Sequence, residues 1–253
     1  PDPESLIPQA NECTVDGKFV ALYGQEYSGI GSGNHINVFD VPKVIDVRNG
    51  EFSKLLDWLA ANKDSSGKLG LLQFNHPALH DDESDEYGAD DFSSRTEWRN
   101  KMDAVSQLIE IANGPAMTKD TGRKPAEIME EDFAHYLNLG FHLAPTADQD
   151  NHYFTWGTAT NARTGVIAKE LTKSAIIEAL RKRHAYATED KNLRVIFYVN
   201  GHLCGDRVPA PAVDSELSIE FTIQDDDEPT ADYDIEVYAD TIGGEPASFD
   251  SPI

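Results

Sequence analysis

Two short stretches carry residue types able to bind a metal ion. Phe74-Asn75-His76-Pro77 places an imidazole just after the apolar run Leu69 to Phe74, and Pro77 stiffens the exit. Asp150-Asn151-His152 follows the run Phe141 to Pro145, and Asp-x-His sets a carboxylate and an imidazole within reach of one ion. Hard oxygen beside borderline nitrogen suits zinc, iron or manganese. Asp148 is two residues earlier and either replaces Asp150 or orients a ligand from behind. Glu26 closes the run Lys18 to Glu26, where a carboxylate can bridge metals. His35 follows Gly29-Ile30-Gly31-Ser32-Gly33-Asn34, whose glycines allow close backbone approach. Taken singly, each residue has a plainer explanation: a loop histidine bonded to a carbonyl, or an exposed strand-terminal glutamate.

The other histidines read as structural. His80 is four residues past His76 and serves at most as an outer-shell residue. His135 lies within a helix, His142 begins a strand, and His184 ends a helix where the dipole favours a cation. His202 lies in the β-rich C-terminal part.

The elements that must position these groups follow from periodicity. Lys18 to Glu26, His35 to Asp40, Leu69 to Phe74, Ala104 to Ala112 (QLIEIA) and Phe141 to Pro145 are short apolar runs and read as strands. Glu51 to Asn62 and Ala126 to Leu139 have helical spacing, the latter closed by Gly140. Thr172 to Arg183 reads as a helix with Thr172 as N-cap and Arg181, Lys182 and Arg183 at its C-terminal end. Strands alternating with helices imply a parallel sheet covered by helices, open or closed into a barrel, with reactive groups at the strands' carboxyl ends. After Lys191, Leu193 to Asn200, Ser215 to Ile223 and Tyr233 to Tyr238 alternate with period two, which reads as the start of an antiparallel β-sandwich. The expected division is an α/β domain carrying the candidate ligands over 1–190 and a β-rich segment over 191–253.

Composition narrows the partners. Among 253 residues, 45 acidic and 21 basic side chains give a formal charge of −24, which argues against nucleic acid or an anionic membrane. The expected partner is a small-molecule substrate. Cys13 and Cys204 form no C-x-x-C pair; two buried free thiols are the simpler reading, with one disulfide left open. Asp225-Asp226-Asp227-Glu228 lacks the spacing of a calcium loop and reads as a solvated turn. Both ends read as cut, with Pro1-Asp2-Pro3 opening the chain and Ser251-Pro252-Ile253 closing it.

Glu26 in GQE, His35 in GNH, His76 in NHP and Asp150-x-His152 together resemble the later motifs of the PHP (polymerase and histidinol phosphatase) superfamily. The closer likeness is to its CehA/McbA-like metallohydrolases, known from carbamate hydrolysis. It is carried by Asp148 to Thr164 and Leu171 to Thr188, and the whole resemblance spans roughly residues 10 to 190. It implies a distorted seven-stranded β/α barrel, lacking its N-terminal strands, with one to three divalent ions (zinc, manganese or iron). It implies Glu26 as a bridging carboxylate, His35, His76, Asp150 and His152 as direct ligands, and Arg163 contacting an anionic or carbonyl group of the substrate. A surface ion pair is the plainer role for Arg163. The family's opening His-x-His strand is not found here, so a missing N-terminal segment or a second chain is expected to complete the site. The function implied is hydrolysis of an ester, carbamate or phosphoester by metal-activated water. The alternative is an incomplete, non-catalytic metal- or ligand-binding fragment. Family analogy favours a periplasmic or secreted location.

Overall fold

A computed structural model describes residues 6–28, 35–64, 66–77, 96–209 and 215–238. The expectation placed on His80 lies outside them. The helices are α1 (Leu6–Cys13), α2 (Phe52–Ala61), α3 (Thr96–Asp103), α4 (Glu130–Asn138) and α5 (Lys173–Arg181). The central sheet contains β1 (Gly24–Ser28), β2 (His35–Phe39), β3 (Leu71–Asn75), β4 (Ser106–Asn113), β5 (Glu127–Ile128) and β6 (Ala144–Ala147). Its order is β1-β2-β3-β4-β5, with β6 also paired to β4.

This sheet is mixed. β1/β2, β2/β3 and β4/β5 are antiparallel, while β3/β4 and β4/β6 are parallel. Among the described residues the strands close no barrel, so the seven-stranded β/α barrel is overturned. The physical reason lies in a connection. Only residues 29–34 separate β1 from β2, whereas a parallel return needs a crossover of a dozen residues or more. That length permits a hairpin-like reversal and nothing else.

Alternation gives the sheet two different faces. Tyr27, Ile36, Val38, Leu72, Phe74 and Ile109 share one face and form the main core with Phe52, Leu55 and Leu59 of α2, Trp98 and Met102 of α3 and Tyr136 of α4. On the other face, Leu71, Leu108 and Ala144 pack against Leu180 of α5 and Ala185. That face turns polar towards the carboxyl ends of β1, β3, β4 and β6. The apolar cover stops there, and Glu26, Asn75, Glu110 and Thr146 take over.

The local expectations fared unevenly. α2 and α5 form as expected, and the Thr172 hydroxyl accepts from the Ala175 N–H at 3.3 Å. The strand expected over Lys18 to Glu26 forms only from Gly24. The helix expected from Ala126 starts at Glu130, because Glu127–Ile128 pairs with Ala112 and Asn113 as β5. β7 (Arg163–Val166) and β8 (Ala185–Thr188) form a small antiparallel pair. β9 (Arg194–Val199), β10 (His202–Leu203) and β11 (Ile219–Gln224) make a three-stranded antiparallel sheet in the order β10-β9-β11.

The sandwich expectation is also corrected. Tyr233 to Tyr238 carries no strand, and no residue of β9, β10 or β11 is buried, so among the described residues this sheet has no facing partner layer. Cys13 and Cys204 are free thiols, but Cys13 is exposed and Cys204 half-buried, not both buried as expected. No helix among the described residues is long and apolar enough to cross a membrane.

Gly165 is fixed by close approach. It pairs with Tyr186 across β7/β8, and a Cβ there would stand 2.1 Å from the Tyr186 ring carbon Cζ. The ring is held by its hydroxyl, which donates to the Leu193 carbonyl at 2.9 Å. Gly165→Ala must displace it, with an expected loss of about 1–3 kcal/mol in urea unfolding. A loss below about 0.5 kcal/mol, the usual scale of an inconsequential surface change, would show that the ring moves freely.

Candidate metal centre

The strand directions gather the chemistry at one edge. β1 and β3 end there, at Ser28 and Asn75, and β2, running the other way, begins there with His35. His35 stands opposite Ser28 and Asn75, and Glu26 stands opposite Asn37. His76 is the first residue past β3, with φ of 27°, outside the range L residues usually adopt.

Glu26, His35 and His76 thereby offer three ligand atoms within 4.8 Å of one another, close enough to hold a metal ion. Glu26 Oε1 is 2.9 Å from His35 Nδ1 and 3.7 Å from His76 Nε2. Ligand atoms on a tetrahedral zinc stand ~3.3 Å apart, given bond lengths near 2.0–2.1 Å. These spacings bracket that value. The two imidazole rings meet edge to face with centroids 4.7 Å apart, and Asn75 Nδ2 donates to Glu26 Oε1 at 3.3 Å. The hydrogen bond from His35, then that from His76, holds the Glu26 carboxyl far below the usual carboxylate range against the opposing effect of burial. Two imidazoles and one ionised carboxylate are a donor set suited to a divalent transition metal.

Beside the trio is a cavity of about 270 Å³. Four carboxylates line it: Glu26, Glu110, Asp148 and Asp150. Glu110, on β4, is almost fully buried; its Oε2 accepts the His76 N–H at 2.6 Å and its Oε1 accepts from Asn113 at 2.7 Å. Burial and then repulsion from Asp148 push its carboxyl up to about 8, despite those two hydrogen bonds. The Asp148 carboxyl is also raised, by burial and the neighbouring Asp150 charge, although Gln73 donates to it at 2.6 Å. Burial lowers the His76 imidazole, but Glu26, Glu110 and Asp150 outweigh it, and the net direction is up. Burial and the charge of Glu26 likewise raise Asp150, with His152, His76 and His35 opposing.

The structure treats the remaining expected site residues differently. Asp150, at φ of 46°, borders the cavity. His152 is outside the trio: its Nδ1 is 2.7 Å from the Asp150 main-chain carbonyl, and half of its side chain is exposed. Arg163 Nη1 donates to the Thr160 and Ala162 carbonyls at 2.9 and 2.7 Å, and Nη2 to Gly157 at 2.6 Å. Its guanidinium therefore clamps the loop that carries Asp150 and, among the described residues, forms no ion pair. Lysine cannot span three carbonyls, so Arg163→Lys is expected to cost about 2 kcal/mol in stability and to speed hydrogen exchange across 149–162. Unchanged exchange there would refute the clamp.

Of the other described histidines, His135 lies within α4 and His202 in β10 as expected, whereas His142 lies ahead of β6 and does not begin a strand. His142 pairs with Asp103 at 3.0 Å and His184 with Asp206 at 2.8 Å. A larger groove of about 680 Å³ lies between α2 and α3, lined by Leu56, Ala60, Trp98 and Val105 on the helix-covered side, away from this chemistry. Glu110 escaped the sequence reading. Its signal was the one charge in β4, set between the apolar Leu108-Ile109 and Ile111-Ala112 just ahead of the Asn113-Gly114-Pro115 turn. Comparison with protein-family models and with curated proteins returns no match to this chain.

Proposed function

We propose that the chain is a metal-dependent hydrolase acting on an ester or carbamate bond. The observation that carries this reading is the Glu26, His35 and His76 trio at the mouth of an acidic cavity. The likeness of GQE, GNH, NHP and Asp150-x-His152 to the PHP superfamily, and of Asp148 to Thr164 to its CehA/McbA-like members, also supports it.

Glu26, His35 and His76 would hold the ion, with Asp150, which lines the same cavity, a further carboxylate able to join them. A bound divalent ion supplies Lewis acidity, lowering the pKa of a coordinated water towards ~7 and polarising the bond under attack. Asn75 orients Glu26, and Glu110 fixes the His76 backbone. Four carboxylates and no Lys or Arg among the described lining residues disfavour an anionic phosphoester against a neutral carbonyl substrate.

Elemental mass spectrometry on the protein reconstituted with zinc, manganese or iron tests the reading, alongside turnover of 4-nitrophenyl acetate, carbamate and phosphate. Stoichiometric metal with acetate or carbamate turnover is expected. A folded protein that takes up no metal would replace the hydrolase by the non-catalytic fragment.

A further inference from the structure

Directly after His152 the loop exposes aromatic rings that no core requires. Phe154 is 93% exposed and Trp156 68% exposed, and their rings meet edge to face at 5.4 Å. Between them Thr155 is buried, and it is pinned: its hydroxyl donates to the Thr118 carbonyl at 3.3 Å and accepts from Asn151 at 3.0 Å. Together with the Arg163 clamp this holds both rings outward on a fixed turn. Trp156 also lines the acidic cavity, and it is the one apolar residue among the eleven described there.

The rest of that lining is polar, and part of it is unused. Among the described residues Asn37 forms no side-chain hydrogen bond, and Gln149, whose Nε2 donates to the Thr160 carbonyl at 3.2 Å, leaves its buried Oε1 without a partner. One exposed ring beside amides and carboxylates is a specific chemical combination. A planar aryl group calls for an apolar slot that encloses it, and a single ring does not provide one. A phosphate meets four carboxylates. A pyranose matches: its C–H face is apolar and lies flat on an indole, while each rim hydroxyl both donates and accepts.

We infer that Trp156, with Asn37 and Gln149, forms a carbohydrate subsite beside the metal trio, and that the substrate is an acyl ester of a sugar. The ester rests on the hydrolase reading proposed above; the binding of the sugar does not.

Saturation-transfer NMR with xylose and cellobiose, on both metal-free and zinc-loaded protein, tests the subsite. Transfer to the axial C–H protons is expected in either form. Trp156→Ala should weaken binding ~10-fold or more, and Trp156→Phe, which keeps a ring, should restore most of it. Saccharides that give no transfer, or transfer indifferent to Trp156, overturn the subsite, as does phenol binding through Trp156 where sugars do not. Sugar binding by a protein that takes up no metal sustains the subsite and sinks only the hydrolase.

Discussion

His76→Ala is expected to abolish zinc binding at the proposed centre. His76 Nε2 faces Glu26 Oε1 at 3.7 Å, and the edge-to-face contact with His35 leaves little room for another group to substitute. Removing a mere outer-shell partner weakens metal sites ~10–100-fold, so losing this ligand should exceed ~100-fold in a chelator competition for zinc. His35→Ala should match it. The thermal stabilisation that saturating zinc confers, about 2.7 kcal/mol at a hundredfold excess over Kd, should vanish in both. His142→Ala, whose imidazole answers to Asp103 elsewhere, should keep wild-type affinity. Equal zinc affinity in all four proteins would remove the trio from consideration.

In the metal-free protein, Glu110→Gln should stabilise at alkaline pH and do nothing of the kind in acid. Buried between Asp148 and the His76 backbone, the Glu110 carboxyl titrates near 8 in the folded state, against 4.5 for an ordinary glutamate. The folded protein therefore keeps a proton that the unfolded chain releases. Stability falls as pH rises from about 4.5 to about 8, by at most about 1.4 kcal/mol per unit, and Asp148, raised for the same reason, pulls the same way. Glutamine holds the same volume and cannot ionise. Urea unfolding of EDTA-treated protein at pH 5 and pH 8 should show the variant gaining a few kcal/mol over wild type between the two. Glu26 acts in the opposite sense at lower pH: its depressed titration supports the fold above about 4.5 and is lost on acidification. Parallel pH slopes in wild type and Glu110→Gln would show that Glu110 sheds its proton without cost.

What could be read in advance depended on how local the information was. The spacing of Phe52, Leu55 and Leu59 announced α2, and Thr172 announced the start of α5, because each depends on residues within a turn or two. The motifs containing Glu26, His35 and His76 were legible because strand ends are recognisable locally. Sheet order was not, since it depends on which runs meet across the chain. The short span 29–34 did contain the antiparallel answer, but the alternation of strands and helices elsewhere argued for a parallel sheet, and the family resemblance implied a barrel. Tyr233 to Tyr238 shows the opposite error, since period-two alternation without a neighbouring strand to bond is only a pattern. Glu110 stayed hidden because an apolar run reads as core on both faces, whereas here one face of β4 belongs to the site.

That two-sidedness shapes how such a protein can drift. Tyr27 and Glu26, Ile36 and His35, and Phe74 and Asn75 are adjacent in sequence yet serve different purposes on opposite sides of one backbone. Among the described residues the two sets pack against different neighbours, and changes to groups without shared partners combine nearly additively. Epistasis should therefore run within a face and not between neighbours along a strand. A lineage could exchange the ligands and amides of the polar side, and with them the reaction, while the hydrophobic side goes on inheriting the same fold.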